Sequence, residues 1–188
     1  MDQSPDLRLA TDTFLDRLHR VSEAQFSLPT PCEGWNVGDL IGHVAAGSKM
    51  AVALVGGCTT EEASAAIAGP IEGDLIATCR ANLGEAVTAL EGPIAPDVIV
   101  HHPIGDVPAE QLLSFRIGDL AIHSWDLARA TGMDEELPAA LVERAWADLK
   151  PMEAIIGSVG VFGAGPSGSL DGEVDLLIQL LDLTGRRP

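Results

Sequence analysis

The sequence predicts an all-α protein: a bundle of four long helices with minor helices beside it. Three observations predict this. Apolar residues make up 46% of the 188, yet only 4% are aromatic and none is Tyr. The core must therefore be built from Leu, Ile, Val and Ala, which suit packed helices better than a β-sandwich. Apolar positions also recur at three- and four-residue spacing along four long stretches, and Gly, Pro and Asx residues punctuate the gaps between them.

Leu7, Ala10, Phe14, Leu15 and Leu18 give one apolar face to a first helix from Leu7 to Val21. SLPTPCEGW follows as a loop, because its two prolines and one glycine cannot continue a helix. Asn36 is placed to cap a second helix, Val37 to Leu54, with Asp39 in the first turn at the positive end of the dipole. Gly56 and Gly57 end it. A short helix capped by Thr59 or Thr60 comes next. Asp74 to Leu90 is the third long helix, with Leu75, Ile76, Cys79, Leu83, Val87 and Leu90 on one face and Gly92 and Pro93 as its stop. DVIVHHPIGDVP is β-prone but isolated, and reads as an extended crossover or a marginal strand. Pro108 opens a fourth helix that runs to about Ala130, with Gly132 past its end. A further helix runs from Pro138 to about Leu149. Residues 157–172 hold six glycines and read as a loop, and Glu173 to Leu183 as a last short helix. Residues 1–137 are thus the bundle and 138–188 a short helical C-terminal extension of the same domain. A long connection separates the third and fourth main helices.

Charge and cysteine usage exclude several classes. The formal net charge is −17, and the only basic run is Arg186 and Arg187, so nucleic acid and anionic membrane surfaces are disfavoured partners. Cys32, Cys58 and Cys79 are odd in number and lack C-x-x-C spacing, which argues against a disulfide framework or a zinc–thiolate cluster. A reducing cytoplasm is expected. MDQSPDLRLA lacks the regions of a signal peptide, and no apolar stretch approaches the ~20 residues of a membrane helix. Homo-oligomer formation stays open.

Two hexads mark the chemistry: GDLIGH at 38–43 and GDLAIH at 118–123. Asp119 and His123 lie four apart in the middle of the fourth helix, so they stack on one face about 6 Å apart along the axis. A carboxylate and an imidazole so placed can clasp a divalent cation. The alternative is a solvated Asp beside a packed His. His43 lies one turn inside the second helix among Leu40, Ile41 and Val44, and small residues follow at Ala45, Ala46 and Gly47. By itself it could be an ordinary core histidine. Asp39 starts a helix whereas Asp119 interrupts one, and the flanking residues differ, so the hexads are read as two walls of one site and not as a repeat. His43, Asp119 and His123 would form a two-histidine, one-carboxylate set with an open coordination position. Zinc is the default metal, with nickel, manganese or iron(II) as alternatives.

Other residues carry two readings each. Asp126, seven residues beyond Asp119, either orients His43 or His123 or pairs with Arg116 or Arg129. Arg129 either holds a substrate carboxylate or serves as a helix-end cation. Trp35 and Trp125 are packing residues or pocket walls. His101 and His102 are loop residues, or one of them supplies an acid or base. His19 is placed at a polar edge and Cys32 as a small core residue. GAGPSG lacks the lysine and the strand-to-helix setting of a phosphate loop.

TPCEGWNVGDLIGHVAAG and DLAIHSWDLARATG resemble two signatures of the mycothiol-dependent maleylpyruvate isomerase N-terminal domains. The ending, FGAGP through LLIQLLDLTGRRP, is similar to the tail of an actinobacterial branch of that group. The resemblance implies a DinB/YfiT-like, up-down-down-up four-helix bundle. It also implies a divalent metal held by a histidine of the second helix and a carboxylate-x-x-x-His pair of the fourth, which map onto His43, Asp119 and His123. Characterised members of the family carry Glu where Asp119 stands, and they have a sizeable C-terminal domain. The implied activity uses a metal-activated low-molecular-weight thiol, mycothiol, for transfer to or isomerisation of a small electrophile. Rival classes are a metal-dependent hydrolase using bound water, a non-enzymatic metal- or ligand-binding stress-response protein, and a bundle with no metal at all.

Overall fold

A computed structural model describes residues 4–91, 98–159, 165–170 and 174–187. The elements in order are α1 (Ser4–Leu18), α2 (Val37–Val55), α3 (Thr60–Ala66), α4 (Leu75–Leu90), β1 (Ile99–His102), β2 (Gly105–Pro108), α5 (Ala109–Thr131), α6 (Ala139–Leu149), α7 (Glu153–Val159) and α8 (Leu176–Leu183). The four long helices are those the periodicity predicts.

Local chemistry sets their ends. At the start of α2 the Asn36 side chain accepts from the Asp39 amide at 2.9 Å, and the Asp39 carboxylate accepts from the Asn36 amide at 3.0 Å. Two otherwise unpaired donors are thereby satisfied. Gly57, at φ 91°, turns the chain away after α2. α5 starts directly after Pro108 and stops at Gly132, whose φ of 70° suits glycine at this cap. Thr59 caps α3.

Some boundaries differ from the sequence expectation. α1 ends at Leu18, and Val21 is buried beyond it. α7 continues through Gly157 to Val159, so the glycine-rich stretch begins as helix. α8 is capped by Asp175, which accepts from the Leu177 amide at 2.8 Å. Glu173, Gly92, Pro93 and residues 160–164 and 171–172 of the expected loop lie outside the described residues. The β-prone crossover pairs with itself: β1 and β2 form an antiparallel hairpin, with Val100 opposite Val107 and His101 opposite Asp106. Pro103 and Ile104 make its two-residue turn.

Ion pairs and hydrogen bonds between helices fix their directions. Arg8 near the start of α1 pairs with Glu91 just past the end of α4, so these two run antiparallel. Arg144 joins Asp6 to Ser114, while Arg17 donates to the carbonyl oxygens of Asp134 and Glu136. Both ends of α1 therefore lie beside the corresponding ends of α5, and the two are parallel. His43 faces Asp119 and Ser48 faces Arg116, so α2 is antiparallel to α5. The order is up-down-down-up. α2 and α4 are then parallel neighbours, so the segment 56–74 carrying α3 must return along the bundle. This is a second long connection besides the expected one between α4 and α5.

Phe14, Leu40, Ile41, Leu83, Ile117, Leu120 and Trp125 are fully buried in the shared core. α6 lies close on α5 because Gly118 offers no side chain: a Cβ there would stand 3.2 Å from a methyl of Leu149. No helix among the described residues is long and apolar enough to cross a membrane.

Asn36→Ala is expected to lower stability by about 1 kcal/mol through the lost cap. Phe14→Ala is expected to cost about 3–5 kcal/mol through the cavity it leaves. Urea midpoints by far-UV circular dichroism check both.

Candidate metal centre

His43 from α2 and Asp119 and His123 from α5 meet near the middle of the bundle. The Nε2 atoms of His43 and His123 lie 3.2 and 3.4 Å from the same oxygen, Oδ1 of Asp119. The three donor atoms are within 4.8 Å of one another. The imidazole rings stand edge to face, 5.0 Å apart. Two donors on one metal, each at ~2.0 Å with tetrahedral angles, would stand roughly 3.3 Å apart. The donor spacing and chemistry therefore fit a zinc-like ion.

The other ends of these groups are tied down. Oδ2 of Asp119 accepts from Nη1 of Arg116 at 2.9 Å, and Nη2 of Arg116 donates to Ser48 at 3.1 Å. Arg116 can pass there because position 47 is glycine: a Cβ on Gly47 would stand 2.6 Å from its guanidinium. The small residues on α2 thus make room for a cation as well as a neighbouring helix.

On the far side, Nδ1 of His123 is 2.9 Å from Oδ2 of Asp126. Asp126 is fully buried and receives both Nε and Nη2 of Arg186, at 3.1 and 2.6 Å. The Nδ1 proton is held by this carboxylate, so Nε2, the nitrogen facing Asp119, is the one that would give up its proton to a metal. Cys32 joins the group: its thiol lies 3.3 Å from Oδ2 of Asp126 and 3.3 Å from Nη2 of Arg186. Cys32, His123 and Asp126 form a second convergent donor set sharing His123 with the first.

The electrostatics follow from burial and pairing. Burial alone would raise the Asp119 pKa, but Arg116 and His123 outweigh it and hold this carboxyl well below its ordinary range. Burial likewise opposes charge on His123, yet Asp119, Asp126 and Cys32 raise it well above an ordinary imidazole. Asp126 is desolvated too, but the hydrogen bonds from His123 and Arg186 bring it down to about 2.

Several sequence alternatives are decided by position. Asp126 faces His123 and not His43, and its cation is Arg186, not Arg116 or Arg129. Arg129 pairs with Glu135 and stacks over Trp125, 4.7 Å from the ring centre, away from the three donors. Trp35 lies over both imidazoles, with ring centres 4.8 Å from His43 and 6.0 Å from His123, whereas Trp125 is core. Cys32 is half-buried beside charged groups, which corrects its reading as a small core residue. His101 bonds Asp106 on the exposed side of the hairpin, and His102 is half-buried against Phe115. His19 is exposed. Arg186 was invisible to local reasoning, since 60 positions separate it from Asp126. Arg116 had a signal in its three-residue spacing from Asp119.

Residues 7–128 match the family described as the mycothiol maleylpyruvate isomerase N-terminal domain, and the chain belongs to that family. Two uncharacterised proteins of Mycobacterium tuberculosis, Rv0738 of strain H37Rv and MT0763 of strain CDC 1551, are each 34% identical to it over 137 residues. The match covers 72% of this chain and 71% of theirs. Two crystal structures of the mycothiol-dependent maleylpyruvate isomerase, one of a histidine-to-alanine mutant, share the fold. Their TM-scores are 0.57 and 0.60 (the mutant) at 21% identity, over 76% of this chain. The match spans 65% of those isomerase chains, less than two thirds of their length.

Arg186→Met removes the guanidinium paired with Asp126 and is expected to cost roughly 3 kcal/mol at neutral pH, because a buried carboxylate loses its cation. The depressed pKa of Asp126 contributes stability above its ordinary value of 3.8, and that stability is lost as pH falls toward about 2. Without Arg186 the folded carboxyl titrates higher, so the acid limb of unfolding should begin at higher pH. Acid titration followed by circular dichroism reads the shift.

Proposed function

We propose that the chain is a divalent-metal-dependent enzyme of the mycothiol-dependent maleylpyruvate isomerase type, acting on a small electrophile with a low-molecular-weight thiol. The observation that carries this reading is the convergence of two imidazole Nε2 atoms on one carboxylate oxygen, with the outer nitrogen of His123 fixed by Asp126. Family membership supports mycothiol as the thiol. His43, Asp119 and His123 would hold the metal, with zinc as the first choice for this donor set. When bound, such an ion supplies a Lewis acid that keeps a thiol or a water deprotonated near neutral pH.

The residues of the chain have distinct tasks in this reading. Arg116 occupies one oxygen of Asp119, so that carboxylate offers a single oxygen to the centre. Asp126, backed by Arg186, orients His123. Trp35 covers one side of both rings. The open approach in this reading is on the α2 side, supported by side-chain exposure of 37% at His43 against 8% at His123. Residues 1–137 act as the metal-binding bundle. Residues 138–188 act as an extension of the same domain, since α6 packs on both α1 and α5.

The test is elemental analysis of untagged protein, with thiol-dependent turnover measured alongside. Wild type is expected to carry about one divalent ion per chain, and His43→Ala a small fraction of that, with activity down at least 100-fold. Asp126→Asn should keep the ligands but weaken metal affinity about 10–100-fold. Full metal and full activity in His43→Ala would overturn the assignment. Turnover with no added thiol would point to a hydrolase using bound water.

A further inference from the structure

A cavity of about 360 Å³ opens from this centre between α2, α5, the hairpin and α7. Because α2 and α5 are antiparallel, its lining pairs off along their length: His43 with Asp119, then Gly47 with Arg116, then Met50 and Ala51 with Phe115 and Leu112. Ala51 is eight residues beyond His43, so the cavity runs about 12 Å along the helix axis from the donor atoms. Beyond Arg116 the walls are aliphatic or aromatic, with Ile156 and Ile104 completing them.

Charge is scarce along this length. Among the described lining residues Arg116 is the only permanent cation, and its two terminal nitrogens are committed to Asp119 and Ser48. His102 lines the hairpin side. Its Nδ1 accepts from the Ile104 amide at 3.3 Å, which places its proton on Nε2. Burial, and then Arg116, push its pKa below the usual imidazole value, so it stands as a neutral N–H donor near pH 7. A carboxylate drawn past Arg116, away from the His43 and Asp119 end, would lose its hydration without gaining a free cation, at a cost of several kcal/mol. An apolar chain would gain from every methylene that it buries.

We propose that this cavity binds an uncharged, mostly apolar molecule, an alkyl chain or a single aromatic ring, whose polar reacting group lies at His43 and Asp119. A dicarboxylate such as maleylpyruvate does not suit it. The identity of the reacting end rests on the metal-dependent reading above, whereas the occupancy of the cavity does not.

The experiment titrates the protein, as purified and after chelator treatment, with primary alcohols from butanol to decanol and with maleate. Binding is followed by calorimetry. Affinity should rise about fourfold per methylene until the chain fills the ~12 Å length, with or without metal. Maleate should show no binding at the concentration that saturates with octanol. Ala51→Phe fills the far end and should weaken octanol at least tenfold. Ile104→Trp crowds the mouth from an exposed turn, tests the same space without disturbing the core, and should do likewise. A length series unchanged by Ile104→Trp, an affinity independent of chain length, or maleate binding more tightly than octanol overturns the proposal. Because alcohols need neither metal nor thiol, a failed length series in protein with metal and thiol-dependent turnover sinks the cavity assignment alone. A normal series in protein without either sinks the functional reading alone.

Discussion

Asp119 sits in the middle of a helix whose neighbours are almost all aliphatic, and an ionised carboxylate in such a place is costly without partners. Four groups meet that cost together: Arg116 one turn before it, Ser48 behind the guanidinium, and the imidazoles of His43 and His123. The rest of the architecture can be read as keeping these groups in register. The antiparallel approach of α2 to α5 brings His43 to the same oxygen as His123. Gly47 clears the path of Arg116. The capping box at Asn36 and Asp39 fixes where α2 begins, and so where His43 lies along it.

Two turns further along the same face of α5 the principle repeats with different parts. Asp126 is fully buried, and its charge is balanced by Arg186 from the end of the described chain as well as by His123. His123 is thus gripped from both sides, its outer nitrogen facing one carboxylate and its inner nitrogen another. Held at both nitrogens, the ring keeps one orientation, which a lone histidine between helices would not. Cys32 lies against the same carboxylate, so the loop before α2 and the segment after α8 are tied to one side chain of α5.

Most of the helical architecture was legible because it rests on local signals. The spacing of Leu7, Phe14 and Leu18, the cap at Asn36, Pro108 and Gly132 each act within a few residues of themselves. The three donors were legible for the same reason in part: Asp119 and His123 are one turn apart, and His43 lacked a local purpose. The parallel course of α2 and α4 was implied by the family resemblance alone, since it depends on which helices meet and no local signal encodes that. The hairpin is not evident locally, because both of its strands lie within the one stretch that reads as an extended crossover or a marginal strand. Arg186 was passed over because an arginine near a chain end looks the same whether it meets water or reaches 60 positions back to Asp126. Cys32 misled because type and neighbours suggested packing, whereas the contacts that define it come from α5 and from Arg186.

The separation in sequence between the parts has a kinetic side. His43 and Asp119 are 76 positions apart, and α1 lies along α5 across a still longer interval. Bringing such distant segments together costs loop-closure entropy before their contacts return anything, which disfavours nucleation around the central carboxylate. Individual helices and the short β1–β2 hairpin form on faster timescales. The three donors meet only when α2 and α5 dock, which makes the centre a product of folding and not its template.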